Sequence, residues 1–159
     1  MAIKGKQRRF LVVVDDTPEC KKSLRFACRR AKRTGEQITM LRVIQSGDFQ
    51  HWLAVEERMR DEAKEEAHEL LRQLAEDGFE EWGITPETVV SENDTKNAIL
   101  ELIEKNKKIG ILVLGAAPSK EGPGPLVTQL VGGNERTNIK IPITVVPGDL
   151  SDDQIDDLT

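Results

Sequence analysis

Short apolar runs alternate along the chain with longer segments in which apolar residues recur every three or four positions. An unbroken apolar run predicts a parallel strand buried on both faces, whereas spacings of three and four predict an amphipathic helix. Strands are predicted, in chain order, at about 10–14, 38–44, 87–91, 111–114 and 143–146. Helices are predicted between them at about 18–34, 49–76, 95–105 and 126–131.

The alternation of strands and helices indicates the fold class. Five short strands joined by four helices are typical of an α/β protein with a parallel sheet, right-handed crossovers and helices on both faces. Ligands of such sheets bind outside the carboxyl ends of the strands, where the strand order reverses. The first strand runs into Asp15-Asp16-Thr17 and the fourth into Gly115, and these two ends are the most ligand-like. We therefore predict the sheet order 3-2-1-4-5, with the reversal between strands 1 and 4.

Local signals mark several helix ends. Thr17 is a good N-cap, and Pro18 suits the first position of a helix. Gly35 is a typical C-terminal stop for that helix. Gly78 and Gly83 are expected to bracket the exit from the second helix.

The length of 159 residues is that of one domain, which we assign to residues 1–148. The remaining segment, 149–159, holds five aspartates and no Lys or Arg. A short terminal segment of this composition is expected to be a frayed or loosely docked acidic tail.

Composition indicates a folded protein without a membrane segment. Charged residues make up 32% of the chain and hydrophobic residues 38%, unlike a disordered protein. The apolar run that begins at Phe10 is far shorter than the ~20 residues of a membrane span, and it does not resemble a secretory signal. Cys20 and Cys28 lie roughly 12 Å apart along one predicted helix, too far for a disulfide. A cytoplasmic location and no membrane partner are therefore expected.

Charge is distributed unevenly along the chain. Residues 1–33 hold eleven of the 23 Lys and Arg residues but only three of the 28 Asp and Glu residues. This basic segment either attracts phosphate-bearing partners or forms the solvated faces of ordinary helices. Because only Phe26 interrupts the basic cluster as an aromatic residue, a stacking platform for single-stranded nucleic acid is lacking. No nucleic-acid partner is expected.

Four segments together resemble the universal stress protein family. The first strand with its Asp-containing turn, the second strand, the fourth strand with its glycine, and the closing proline-plus-strand segment all match in order and spacing. These segments are Phe10–Thr17, Met40–Ile44, Ile111–Gly115 and Ile141–Val146. The resemblance implies a Rossmann-like three-layer sandwich over 1–148, and a homodimer built partly on the last strand.

The resemblance also directs attention to the loop after the fourth strand. ATP-binding members hold the triphosphate with G-x-x-G-x9-G-[ST], because glycine lets backbone amides approach phosphate oxygens. Gly115 supplies the first position, but Pro118 stands at the second and has no N–H to donate. A count begun at Gly122 reaches Gly132 and Gly133 without the Ser or Thr. In either alignment the phosphate loop is degenerate.

Candidate ligand contacts follow from the two strand ends and from the resemblance. Each has a structural alternative: a helix cap, a buried strand residue or a turn glycine. They are Asp15, Asp16, Thr17, Val43, Gly115, Ala116, Gly122, Gly132 and Gly133. The implied cofactor is ATP or another adenine nucleotide, with Mg²⁺, and the absence of any cofactor is an equal alternative.

Enzyme signatures are absent from the sequence. It has no G-x-x-x-x-G-K-[ST], H-E-x-x-H, C-x-x-C or G-x-S-x-G motif. The resemblance therefore implies a non-catalytic, homodimeric binding or signalling module of the stress response. A nucleotide-independent interaction module of the same fold is the alternative. An ATP-hydrolysing or electron-transfer enzyme of related fold is a third hypothesis.

Overall fold

The computed structural model describes residues 7–44, 53–118, 121–131 and 139–159. The strands are β1 (Arg9–Val13), β2 (Gln37–Ile44), β3 (Glu87–Glu92), β4 (Ile109–Ala116) and β5 (Ile143–Pro147). The helices are α1 (Pro18–Thr34), α2 (Leu53–Trp82), α3 (Thr95–Lys105), α4 (Pro125–Val131) and α5 (Asp152–Leu158). No helix among these residues is both long and apolar enough to cross a bilayer.

The five strands form one parallel sheet in the order β3-β2-β1-β4-β5, which confirms the predicted topology. Helices cover both faces, so β1 is buried on both sides. Phe10, Val12 and Val14 pack with α1 and α2, whereas Leu11 and Val13 pack with α3 and α4. The unbroken apolar run of the first strand therefore reflects two separate cores, one on each face of the sheet.

Most predicted helix ends are confirmed. Thr17 is the N-cap residue of α1, and Gly35 ends the helix at φ +78°, with its N–H donating to Ala31 O at 2.9 Å. Asp94 caps α3 by accepting a hydrogen bond from Asn97 N. Glycine adopts the left-handed backbone conformation without steric strain, which explains why the helix ends at Gly35.

The second helix is longer than its pattern predicted. α2 continues past its predicted end near residue 76 to Trp82. The helix therefore ends between Gly78 and Gly83, as expected, and Gly83 follows it at φ +67°. Trp82, the last residue of α2, packs against the core, and Pro86 Cγ lies 3.9 Å from the position that a Cβ on Gly78 would occupy. The predicted start near Phe49 lies outside the described residues.

The acidic segment 149–159, expected to be frayed or loosely docked, contains a helix, α5, that packs on α1. α5 begins with a capping box: Ser151 Oγ accepts from Gln154 N at 3.1 Å, and Gln154 Oε1 accepts from Ser151 N at 2.9 Å. Ile155 is fully buried. The aspartates had indicated a solvated segment, but two of them, Asp152 and Asp156, pair with cations of α1.

A forked ion pair holds α5 on α1. Arg25 donates from Nε to Asp156 Oδ1 and from Nη2 to Asp156 Oδ2, both at 2.8 Å. Arg29 Nε lies 3.0 Å from the same carboxylate. Arg25 also pairs with Glu81 at 3.0 Å and lies 5.8 Å from the ring centre of Trp82. The basic and acidic ends of the sequence are therefore neighbours in space.

We expect Ile155→Ala to lower the free energy of unfolding by about 2 kcal/mol, because a fully buried side chain is truncated. The loss cannot exceed the free energy that docks α5. Urea denaturation measures it. Leu158→Ala is the matched control, since Leu158 is 61% exposed and its truncation should change stability by less than about 0.5 kcal/mol. Equal losses for the two variants would contradict the docking of α5.

Stability should also depend on the charge of Asp156. The hydrogen bond from Arg25 lowers the pKa of Asp156 below its ordinary value of 3.8. A group with a lowered folded-state pKa stabilises the fold above its unfolded pKa, and this contribution is lost as the pH falls through the folded value. Between about pH 5 and pH 2, unfolding free energy should therefore fall more steeply in wild type than in Asp156→Asn.

The control for this pH dependence is Asp157→Asn, which removes the same charge from an exposed position on α5. It should follow the wild-type profile. A profile of Asp156→Asn that is parallel to wild type would show that the ion pair contributes nothing to the acid sensitivity.

Candidate functional site

A cleft of about 450 Å³ lies at the carboxyl ends of β1 and β2, beside the point where the strand order reverses. Its walls come from these two strand ends, from α2 and from the first turns of α3 and α4. The polar residues that line it are Asp15, Asp16, Arg42, Glu66, Thr95 and Gln129. Both position and size suit a small-molecule site of an open α/β sheet.

Asp15 lies two residues after the end of β1 and organises the turn into α1. Thr17 donates to Asp15 Oδ1 from its backbone N–H, at 2.9 Å, and from its hydroxyl. The Thr17 side chain therefore makes no hydrogen bond to the amides of α1. Since both recorded bonds use Oδ1, the Oδ2 atom of Asp15 can serve a ligand while the turn stays intact.

Arg42 is a cleft residue that the sequence reasoning missed. Its Nη2 donates to Asp16 Oδ2 at 2.9 Å, and its Nη1 lies 3.5 Å from Val14 O. These contacts join the ends of β1 and β2. The sequence feature that could have identified Arg42 is its position within the apolar run of β2, because a charged residue in a buried strand needs a partner.

Val43, another of the candidate ligand contacts, also lies at the cleft. Val43 lines it while pairing with Ser91 of β3 in the sheet register. The structure thus brings Asp15, Asp16 and Val43 together, as parallel strand ends must. That these residues bind a cofactor stays a prediction.

A second cavity, of about 90 Å³, lies between the start of α1 and the start of α4. Asp15, Thr17 and Gly115 line it, together with Glu19 and Gly124. Two carboxylates border this small space. Their negative charge opposes a phosphate group there.

Gly115 does not make the turn that the sequence indicated. It lies within β4, and its φ is not positive. A Cβ at this position would lie 2.5 Å from Glu19 O and 2.8 Å from Glu19 C. Glycine is required here because the backbone of α1 approaches β4 too closely for any side chain.

Two backbone groups at the described start of the loop that follows β4 are paired within the protein. Ala117 N–H donates to Pro123 O at 2.9 Å, and Ala116 O accepts from Gly148 N at 2.8 Å. Gly122 has a φ of +120°, which fits a turn. Neither Ala116 nor Gly122 lines either cavity. The candidates Gly132 and Gly133 lie outside the described residues.

Neither cysteine is suited to nucleophilic chemistry. Both thiols are free and buried, as the sequence predicted. Burial raises the pKa of Cys20 to about 11 and that of Cys28 to about 12, so both are protonated at neutral pH. Within the described ranges no cluster of His, Cys, Asp and Glu could hold a metal ion.

The sequence model of the universal stress protein family matches residues 7–147. The chain belongs to this family. α5 lies beyond the matched residues and is therefore additional to the part of this universal stress protein that the family model describes.

Solved structures confirm the fold of this universal stress protein. Universal stress protein UspA from Lactobacillus plantarum shares 18% identity at a TM-score of 0.74, over 90% of this chain and 99% of its own. A family member from Burkholderia pseudomallei shares 14% at 0.69, over 90% and 98%. A universal stress protein in complex with cAMP shares 14% at 0.61, also over 90% and 98%. No curated protein matches the sequence.

The close approach at Gly115 predicts a sharp difference between two glycines of β4. Gly115→Ala should destabilise the protein by about 2 kcal/mol, because α1 must move away from the sheet. Gly110→Ala is the control, since its Cβ would meet only the flexible Arg8 side chain, at 3.3 Å. Its effect should stay within about 0.5 kcal/mol. Chemical denaturation of both variants measures the difference, and equal stabilities would contradict the steric explanation.

Proposed function

We propose that this universal stress protein is a non-catalytic binding module whose cleft takes an adenine nucleotide, held mainly through its nucleoside part. The observation that carries the proposal is the convergence of Asp15, Asp16 and Val43 on one cleft at the reversal of strand order. The cleft volume of about 450 Å³ falls in the usual range for small-molecule pockets.

The nucleoside end has suitable chemistry. The free oxygen of Asp15 accepts hydrogen bonds from ribose hydroxyls or from an amino group. Apolar side chains of Leu70 and Leu126 line the same cleft and suit the faces of a purine. Support also comes from the structural neighbour that was solved with cAMP.

The phosphate end is weaker in donors. Pro118, Pro123 and Pro125 have no N–H, and Ala117 N–H is already bonded to Pro123 O. The carboxylates of Asp15 and Glu19 add negative charge nearby. A triphosphate with Mg²⁺ is therefore the less suitable ligand, and a nucleotide with one phosphate is the better one.

Among the described residues no histidine or cysteine lines the 450 Å³ cleft, which supports a binding role rather than catalysis. Both thiols are protonated, and His68 lies on an exposed face of α2, away from the cleft lining. We further propose a cytoplasmic homodimer that acts in stress signalling. β5, at one edge of the sheet, is the strand proposed to pair with a second copy.

A nucleotide-independent interaction module is the second candidate. One observation favours it: at the start of the loop after β4, Ala117 N–H donates to Pro123 O and Ala116 O accepts from Gly148 N. These backbone groups need no ligand as a partner, which is compatible with a fold whose surface is the functional part.

Thermal unfolding in the presence of adenosine, AMP, cAMP or ATP with Mg²⁺ tests the proposal. At millimolar ligand, AMP and cAMP should raise the melting temperature at least as much as ATP, because binding to the folded state stabilises it by mass action. Asp15→Asn should reduce the shift while its amide oxygen preserves the turn with Thr17.

The control is Asp153→Asn, an equal loss of charge at an exposed position on α5. It should leave the ligand-induced shift unchanged. If no ligand raised the melting temperature, nucleotide binding would be rejected in favour of the interaction module. A shift that survives in Asp15→Asn would place the ligand elsewhere.

A further inference from the structure

One side of α1 forms a stripe of cations that α5 covers. We call it the basic face and define it as Lys22, Arg25, Arg29 and Arg33, which recur every three or four positions. All four contact α5 or the residue that follows it. Lys22 pairs with Asp152 at 3.0 Å, Arg25 and Arg29 pair with Asp156, and Arg33 donates to the carbonyl of Thr159.

Arg25 is held in place by α2 as well as by α5. Its Nη1 pairs with Glu81 at 3.0 Å, and its guanidinium lies 5.8 Å from the ring centre of Trp82. The edge formed by Nε and Nη2 grips Asp156. Because α2 fixes the other edge, this carboxylate-binding fork persists when α5 leaves. Preorganised arginines of this kind recognise acidic motifs in other proteins.

α5 itself is a weakly held occupant. A helix of seven residues is too short to persist alone in water. Within it, Ile155 is the one buried residue, and the carboxylate of Asp156 is 28% exposed. α5 also lies beyond residues 7–147, the part that the family model matches. Elements with so few buried contacts open locally without unfolding the domain.

We propose that the basic face is a docking surface for a short acidic helix of a partner protein, and that α5 occupies this surface in cis. The pattern to be recognised is the one α5 shows: a capping residue, carboxylates one turn apart and an apolar side chain between them. In α5 these are Ser151, Asp152, Ile155 and Asp156. Exposed cations beside the face, Lys21, Arg30 and Lys32, extend the contact for a longer acidic partner.

The apolar position distinguishes a protein helix from a nucleic acid or another polyanion. Ile155 is fully buried between the carboxylates that pair with α1. A polyanion can satisfy the cations but cannot fill that apolar site. Because α5 is tethered, it competes at an effective concentration in the millimolar range, so only a better helix displaces it.

The test uses the full chain in which α5 has been released by Asp156→Arg, a cation facing Arg25 and Arg29. The matched control is Asp157→Arg, with the same change of charge at an exposed position. Fluorescence anisotropy follows a fluorescein-labelled peptide with the sequence of residues 149–159. The peptide should bind Asp156→Arg at least about tenfold more tightly than wild type or Asp157→Arg, because cis competition has been removed.

Adding Arg25→Gln to Asp156→Arg should abolish this gain, since the fork is lost. Equal affinity for wild type and Asp156→Arg would overturn the proposal. So would equal binding of a scrambled peptide or of a single-stranded oligonucleotide, which would indicate a non-specific anion surface.

A second measurement covers the case in which Asp156→Arg fails to fold. Unlabelled peptide of the wild-type sequence is added in excess to isotopically labelled Ile155→Ala protein, whose α5 has lost its buried side chain and competes less well than the peptide, and amide resonances are followed by NMR. Displacement of α5 should shift resonances of the basic face and of α5 itself, and leave β3 unchanged. Unchanged resonances at saturating peptide would overturn the proposal. This outcome does not depend on nucleotide binding.

Discussion

The close packing of α1 against the carboxyl end of β4 is the constraint on which the rest of the structure depends. Gly115 and Gly148 both face Glu19: a Cβ on Gly115 would lie 2.5 Å from Glu19 O, and one on Gly148 would lie 2.8 Å from Glu19 Cβ. This contact brings together three segments: the turn at Asp15 that precedes α1, the loop after β4, and the chain that leads to α5. A change at this contact therefore reaches all three.

The same contact shapes the cleft unequally. Where α1, β4 and the loop after β4 pack closely, Ala116 O and Ala117 N–H are bonded within the protein. Between the ends of β1 and β2 the cleft stays open and retains polar atoms such as those of Asp15 and Arg42. Close packing reduces the number of backbone N–H groups that can donate to a ligand, because an amide bonded within the protein cannot also bind a ligand.

Oppositely charged segments at the two ends of the chain meet in the folded structure. The basic N-terminal segment and the acidic C-terminal segment look, in sequence, like two separate solvated regions. In space Arg25 and Asp156 meet, with Glu81 and Trp82 holding the arginine from the other side. The Arg25–Asp156 pair is part-buried, and its arrangement with the neighbouring cations defines what can bind to α1.

The sequence by itself determined the α/β class, the strand order, most helix ends and the meeting of Asp15 with the second-strand tip, because these follow from local periodicity and from general topology. Only the tertiary structure decided the role of Gly115, the ion pair of Arg42, the closure of the loop and the docking of α5. Each of these depends on groups far apart in the chain, as with Arg25 and Asp156, whose separation is 131 residues. Local patterns report what a segment prefers, whereas contacts of this range exist only once the sheet has brought the segments together.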